Sequence, residues 1–297
     1  MRQRLLLLGL CLIAAALFTR LGGDTGGRRP APERYDPPPV AEGERERDGS
    51  GSRLPGESRR DPILQLSDSD PCAEACTGTA FAIDRQGHWL TARHVVEGCR
   101  RIGLMTGPRR WVKVAEVASH PRADVSLLTA DLTATPLPLS DGRLFEGQDG
   151  FHLGYPRGEP GDVYGELLGR VKVRSRRFTE PGVLWAEIDR QPWNDLPLGG
   201  LSGGPVLSPE GAVIGVAIAA SPRRGRVTSA APRSLNEILE SAGVTVAPRS
   251  PEEVTEEVKV AASNYADYGD HLRSQLTVAK VLCWGGSGDN RRRPPIR

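Results

Sequence analysis

From residue 80 onward, short apolar runs recur with turn residues between them. They fall at 80–83, 89–92, 101–104, 111–117 and 125–128. Asp141-Gly142 marks a break, and a second series follows at 150–153, 165–173, 183–188, 205–207, 212–220 and 226–229. Runs this short, rich in Val, Ile, Leu and Ala and bounded by turns such as Asp84-Arg85-Gln86-Gly87, read as strands. Many of them at such spacing predict an all-β sandwich or barrel architecture. A chain of 297 residues holds one large or two modest domains. Aromatic residues make up only 5% of it, so the core must be built mainly from aliphatic side chains.

The flanks have different chemistry. Arg2 and Arg4 precede an apolar run over residues 5–18, a pattern that suits a signal peptide or, if uncleaved, a membrane anchor within residues 1–20. Cys11 in that run reads as an ordinary residue of the apolar stretch. Residues 21–60 are Gly, Pro, Arg and Glu with almost no large apolar side chains, and they are expected to form a disordered linker. Residues 61–245 form the expected folded domain, in which 234–241 reads as a short closing helix. Residues 246–297 form a C-terminal extension. Ser250-Pro251-Glu252-Glu253 has the pattern of a helix start. Val254, Val258, Ala261, Tyr265, Tyr268 and Leu272 then recur at helical spacing, predicting an amphipathic helix that is interrupted or ends near Gly269. Residues 276–284 read as a final strand and the Arg291-Arg292-Arg293 run as a solvated tail.

Gly200-Leu201-Ser202-Gly203-Gly204-Pro205-Val206 sets one hydroxyl among small residues. A serine hydroxyl is a poor nucleophile until a base takes its proton. Glycines beside it let the backbone turn sharply and aim N–H groups at one point, as an acyl-transfer site needs for its developing oxyanion. A base and an acid are available upstream. His94 lies two residues beyond the end of the apolar run Trp89-Leu90-Thr91-Ala92, and Asp124 heads the run Val125-Ser126-Leu127-Leu128. Gly200-Leu201-Ser202-Gly203-Gly204 also fits the nucleophile elbow of α/β-hydrolases. That elbow requires a strand before the serine and a helix after it. Here Pro192-Trp193-Asn194-Asp195-Leu196-Pro197 is turn-like, and Pro205 sits where a helix would need a backbone donor. The elbow also expects its histidine last, and the later His271 lies in a polar segment. His120, His152 and His88 read as a surface-loop residue, a strand residue and a solvated turn residue.

Taken in the order His94, Asp124, Ser202, with Gly78-Thr79-Ala80-Phe81-Ala82-Ile83 and Thr91-Ala92-Arg93-His94-Val95-Val96 around them, the chain resembles the trypsin-like serine peptidases, in particular their bacterial DegP-like branch. The resemblance implies two six-stranded Greek-key barrels, the first carrying His94 and Asp124 and the second Ser202, with a C-terminal amphipathic helix. It implies an exported serine endopeptidase, periplasmic or secreted, acting on protein or peptide substrates through an acyl-enzyme. Ser202 would be the nucleophile, His94 the base and Asp124 its orienting acid. The amides of Gly200 and Ser202 would form the oxyanion hole. The S1 floor would fall at Leu196 and its wall at Ile218, Ala219 and Ala220, favouring small or medium aliphatic P1 side chains. Position 201 is leucine, so the ion pair that aspartate makes with a new N-terminus in trypsin has no counterpart. No room is left for the PDZ domain that DegP-like relatives usually carry. The alternative function is a catalytically silent, trypsin-like binding module.

Export would place Cys72, Cys76, Cys99 and Cys283 in an oxidising compartment and favour disulfides. Four cysteines allow three pairings, and the resemblance favours Cys76–Cys99, leaving Cys72–Cys283. These cysteines lack zinc-site spacing, and no metal or cofactor is expected. A formal charge of +2, from 39 basic and 37 acidic residues, offers no electrostatic case for nucleic acid.

Overall fold

The computed structural model describes residues 51–66, 75–193, 197–246 and 259–285. Two antiparallel barrels dominate them. The first is a closed ring of six strands in the order β13-β2-β3-β6-β5-β4. Its members are β2 (Ala75–Ala82), β3 (His88–Thr91), β4 (Arg101–Gly107), β5 (Arg110–Ser119), β6 (Ser126–Ala130) and β13 (Val278–Trp284). The second runs β8-β7-β10-β11-β12-β9 and closes through β8 and β9. It is built from β7 (Asp149–Gly154), β8 (Gly161–Arg174), β9 (Thr179–Gln191), β10 (Pro205–Leu207), β11 (Val213–Ser221) and β12 (Arg226–Ala230). The expected all-β, double-barrel fold is therefore the observed one.

Each barrel has its own apolar filling. Phe81, Trp89, Leu90, Leu104 and Leu128 are fully buried in the first. Val163, Trp185, Leu201, Val206 and Ile214 pack together in the second. Burying a large aliphatic or aromatic side chain is worth about 1.5–3 kcal/mol, so these two groups supply much of the drive to close the rings. Helix α1 (Arg93–Val96) is a single turn after β3, and α2 (Pro232–Ala242) opens on a proline at its first turn and ends on Gly243 in the left-handed conformation, φ 67°.

Three expectations need correction. First, residues 51–60 are not a free linker. Leu54 is 7% exposed within the second core, its amide donates to Leu144 O at 2.7 Å, and Arg53 bridges Phe145. A short strand, β1 (Ile63–Gln65), then adds in parallel to β8. Backbone hydrogen bonds hold this segment, and apolar patterning does not reveal them. Residues 1–50, with the apolar run and most of the expected linker, lie outside the described residues.

Second, the C-terminal extension is not separate from the barrels. Strand β13 pairs with β2 from Val278↔Phe81 to Trp284↔Ala75, and with β4 from Val281↔Leu104 to Trp284↔Arg101. It completes the ring that opens with β2, so a domain confined to 61–245 would lack one strand. The helix before it, α3 (Tyr265–Ser274), runs through Gly269 and does not stop there. A Cβ at 269 would lie 2.5 Å from Asp162 Oδ2; the glycine is there because the helix backbone approaches β8 that closely. The expected helix start at residues 250–253 lies outside the described residues.

Third, Cys99 is bonded to Cys283, with Cα atoms 5.4 Å apart. This excludes both Cys76–Cys99 and Cys72–Cys283. Cys76 is itself disulfide-bonded, and Cys72 lies outside the described residues. The observed bridge follows from register: Cys283 stands opposite Ile102 on β4, just beyond the loop that carries Cys99.

Candidate active site

The antiparallel ladder between β3 and β6 sets the first two groups side by side. Thr91 pairs with Ser126 at the end of that ladder. His94 lies three residues beyond Thr91, and Asp124 two residues before Ser126. Continuing the register brings them to the same end of the first barrel. Ala92 is still extended, φ −74° and ψ 141°, and the chain then turns into α1, which lifts the imidazole off the barrel end. Asp124 accepts two bonds there, from His94 Nδ1 at 2.6 Å and from the His94 backbone N at 2.8 Å.

Electrostatics follow from this contact. Burial pulls the imidazole toward neutrality, but the charge and hydrogen bond of Asp124 outweigh it, with Glu97 adding to them, and hold its pKa above the ordinary histidine value. Burial pushes the Asp124 carboxyl up. The His94 charge, its two hydrogen bonds and the nearby Arg93 outweigh that and keep the carboxyl below its usual range. The His94 side chain remains 33% exposed and that of Asp124 10%. The base therefore has an open edge while its partner is shielded.

Ser202 comes from the second barrel, in the turn before β10. Gly203 N donates to Ala217 O at 2.7 Å and Ala217 N to Gly204 O at 2.9 Å, fixing the turn to β11. Gly203 has φ 88°, and a Cβ there would lie 2.1 Å from Thr79 O; no other residue fits the turn. Thr79 joins the barrels at this point. Its amide donates to Ser202 O at 2.9 Å and its hydroxyl to Gly200 O at 2.7 Å, while Thr91 Oγ1 donates to Thr79 O at 2.6 Å. Arg157 N, in the turn after β7, donates to Gly199 O at 2.5 Å. With the carbonyls of Gly199, Gly200 and Ser202 engaged, the amides of Gly200 and Ser202 donate to no described acceptor. Ser202 Oγ and His94 Nε2 are not hydrogen-bonded to one another in this state; such contacts commonly tighten only with substrate bound.

The expected pocket residues separate. Leu196 lies outside the described residues. Ile218 is 3% exposed and packs into the core. It is the extra residue of a β-bulge, because Ala217 pairs with Ser229 while Ala219 pairs with Thr228. Ala219 is half-buried and Ala220 exposed. Of the expected wall, only these two alanines stay out of the core. His120, expected on the surface, is buried; its ring meets Glu237 at 3.1 Å and its carbonyl accepts from Arg93. His88 meets Asp84 at 2.5 Å at the start of β3. His152 lies in β7, fully buried, with neither ring nitrogen bonded.

Sequence reasoning missed Thr79, Glu180 and Arg273. Glu180 Oε1 accepts from Asp124 N at 3.0 Å. Arg273, on α3, forms two 2.7 Å bonds with Asp162 and a further bond to Gly154 O. Burial would weaken the charge of that guanidinium, but Asp162 and Asp270 hold it protonated. Thr79 sits in the quoted Gly78-Thr79-Ala80 motif, so the motif itself was the signal. Glu180 and Arg273 carry no local signature.

Residues 78–216 match the family model described as the trypsin-like peptidase domain. That stretch, a little under half of the chain, is similar to trypsin-like peptidase domains. Curated proteins similar to it include a probable periplasmic serine endoprotease, DegP-like, of Halomonas elongata. It is 28% identical over 141 residues, which are 47% of this chain and 28% of that protein. The uncharacterized protein y4bJ of Sinorhizobium fredii is 31% identical over 147 residues, covering 48% of this chain and 22% of that protein. The chain thus spans only about a quarter of the length of these relatives. Among solved structures, the active form of Rv3671c protease from M. tuberculosis aligns at 18% identity and a TM-score of 0.48, covering 66% of this chain and 96% of that one. An HtrA-type protease, AlgW, aligns at 21% and 0.46, covering 55% and 50%. The matched stretch begins in β2 and ends in β11, so β12, α2, α3 and β13 lie beyond it although β12 and β13 complete the two barrels. Among the described residues no helix is long and apolar enough to cross a membrane.

Proposed function

We propose that this chain is an exported serine endopeptidase that cleaves protein or peptide substrates through an acyl-enzyme, with His94, Asp124 and Ser202 as its triad. The observation that carries this reading is the two-point hold of Asp124 on His94, through Nδ1 and the backbone amide, beside a glycine-flanked serine with unengaged amides. With Nδ1–H committed to Asp124, Nε2 is the free, basic nitrogen. It takes the Ser202 proton as Oγ attacks the scissile carbonyl carbon. The carbonyl oxygen gains the electron pair and accepts from the Gly200 and Ser202 amides, each such donor being worth about 3 kcal/mol in the transition state. Collapse breaks the C–N bond, and His94 returns the proton to the leaving amine. Water then repeats the attack on the ester and releases Ser202.

Export is supported by the N-terminal apolar run behind Arg2 and Arg4 and by the periplasmic description of the Halomonas relative. The run would serve as a signal peptide or as a membrane anchor. The half-buried Ala219 and the neighbouring Ala220 carry no charge to pair with a P1 group, which supports small or medium aliphatic P1 side chains. The test is Ser202→Ala: it should abolish both peptide hydrolysis and labelling by a fluorophosphonate while leaving the fold unchanged. Hydrolysis that survives in Ser202→Ala refutes the assignment. A wild-type protein that neither labels nor cleaves supports the silent binding module.

A further inference from the structure

Asp124 belongs to the first barrel, yet its backbone amide is held by a side chain of the second. Glu180, near the start of β9, is 1% exposed and places Oε1 3.0 Å from Asp124 N. Its other oxygen, Oε2, is buried and has no partner among the described residues. No ion pair reaches it. The charged residues on the elements around it are engaged elsewhere or turned to solvent. Arg93 bonds His120 O and Glu97, His94 bonds Asp124, and Glu97 is shared between Arg93 and Arg177. On β8, Lys172 bonds Arg59 O and Arg174 is exposed. On α2, Arg233 pairs with Glu237 and Glu57, and Glu237 also meets His120.

A carboxyl in such a place has a purpose other than an ion pair. We propose that Glu180 is a positioning residue of the triad: from across the barrel interface it holds the Asp124 backbone, and through it the carboxylate that orients His94. This rests on the peptidase reading above. An ionised Glu180 would set a second buried anion against Asp124, so the neutral acid is the form that fits. Burial, and secondarily the Asp124 charge, push its pKa up to about 8 despite the bond from the Asp124 amide. Below that pH the site holds one anion; above it, repulsion between the two carboxylates works against the Asp124–His94 contact.

The experiment uses Glu180→Gln, which keeps the acceptor and cannot ionise, and Glu180→Leu, which removes the acceptor. For wild type, kcat should fall above about pH 8, following the ionisation of Glu180. Glu180→Gln should keep kcat at pH 7 within about threefold and lack that alkaline fall. Glu180→Leu should lose at least about tenfold in kcat with KM within about threefold, the split expected when only the reacting groups are displaced. In the Ser202→Ala background, which needs no turnover, the downfield proton of His94 Nδ1 should persist in Glu180→Gln and weaken in Glu180→Leu. A folded Glu180→Leu protein with wild-type kcat and an unchanged His94 signal overturns the proposal, as does an alkaline fall that persists in Glu180→Gln. Failure of the peptidase reading would instead show as hydrolysis surviving Ser202→Ala, with the His94 signal still reporting on Glu180.

Discussion

The Cys99–Cys283 bridge tests whether the C-terminal strand is a working part of the first barrel. It joins residues 184 apart in sequence, so in the unfolded chain it closes a very long loop. The chain-entropy relation puts the cost of opening such a loop at about 5 kcal/mol, and native disulfides when removed typically cost about 2–5 kcal/mol. Against a total stability of about 5–15 kcal/mol for a domain, that is a large share. Its locality matters as well. Cys99 follows α1, which carries His94, and Cys283 lies in β13 between β2 and β4. Replacing both cysteines by alanine should lower the urea-derived stability by about 2–5 kcal/mol. Amide exchange should accelerate first along Val278–Trp284, since only ladder bonds and side-chain packing then hold that strand. Loss of β13 would expose Leu104 and Phe81, so proteolysis should begin nearby. A drop below about 1 kcal/mol, with β13 amides as protected as before, would refute this assignment of the strand.

Two further predictions concern pH. His152 is fully buried with neither nitrogen bonded, packs edge-on to Trp185, and has its pKa driven down to about 3 by burial. The unfolded chain therefore binds a proton between about pH 6.5 and 3 that the folded one refuses, and stability falls as pH drops through that window. Taken from pH 7 to 5 the loss is about 2 kcal/mol; His152→Leu should remove it in paired urea titrations, and an unchanged pH slope would show that His152 is not its source. His94 is displaced the other way and must be neutral to act as base, so kcat/KM should rise with pH through an apparent pKa above 6.5. Asp124→Asn should lower that pKa and reduce kcat by about 10³–10⁴; an acid limb that stays in place in this variant would separate it from the His94–Asp124 pair.

Most of the strands were legible because each is a short apolar run closed by turn residues, and the runs at 89–92 and 125–128 led directly to His94 and Asp124. What escaped has a common physical origin. The partner of a strand is not written in the strand itself: the alternation of Val278, Val281 and Cys283 is the same whether β13 caps a sheet or completes a barrel. The Cys76–Cys99 pairing that the resemblance implies failed for the same reason, since Cys99 finds Cys283 through the β13–β4 register. Residues 51–60 dock mainly through bonds to their main chain, with Leu54 and an ion pair from Glu57 to Arg233, while their composition reads as a linker. The resemblance implies a pocket wall of Ile218, Ala219 and Ala220, but a bulge at Ile218 turns that residue into the core, and a bulge has no local sequence mark. Glu180 and Arg273 act through distant partners, and nothing in their neighbouring residues marks them.

The segment after the matched domain reaches the candidate site from both barrels at once. Within the first barrel β13 pairs with β2 along its length, including Ala279↔Ala80 and Lys280↔Thr79. Thr79 is the residue whose amide and hydroxyl hold Ser202 O and Gly200 O. Toward the second barrel, Arg273 grips Asp162 and Gly154 O, and Lys280 bonds Gly158 O while lying 5.6 Å from the Tyr155 ring centre. Gly154 to Gly158 is the turn whose Arg157 amide holds Gly199 O. The peptide that carries the Gly200 N–H is held through its Gly199 O by the turn after β7, the next peptide is held through Gly200 O by Thr79 on β2, and both supports lean on α3 and β13. A donor aimed at a developing oxyanion gains its strength from being held in place before charge appears. On the proposed reading, in which the Gly200 amide is such a donor, the C-terminal return would supply that hold by bracing its supports.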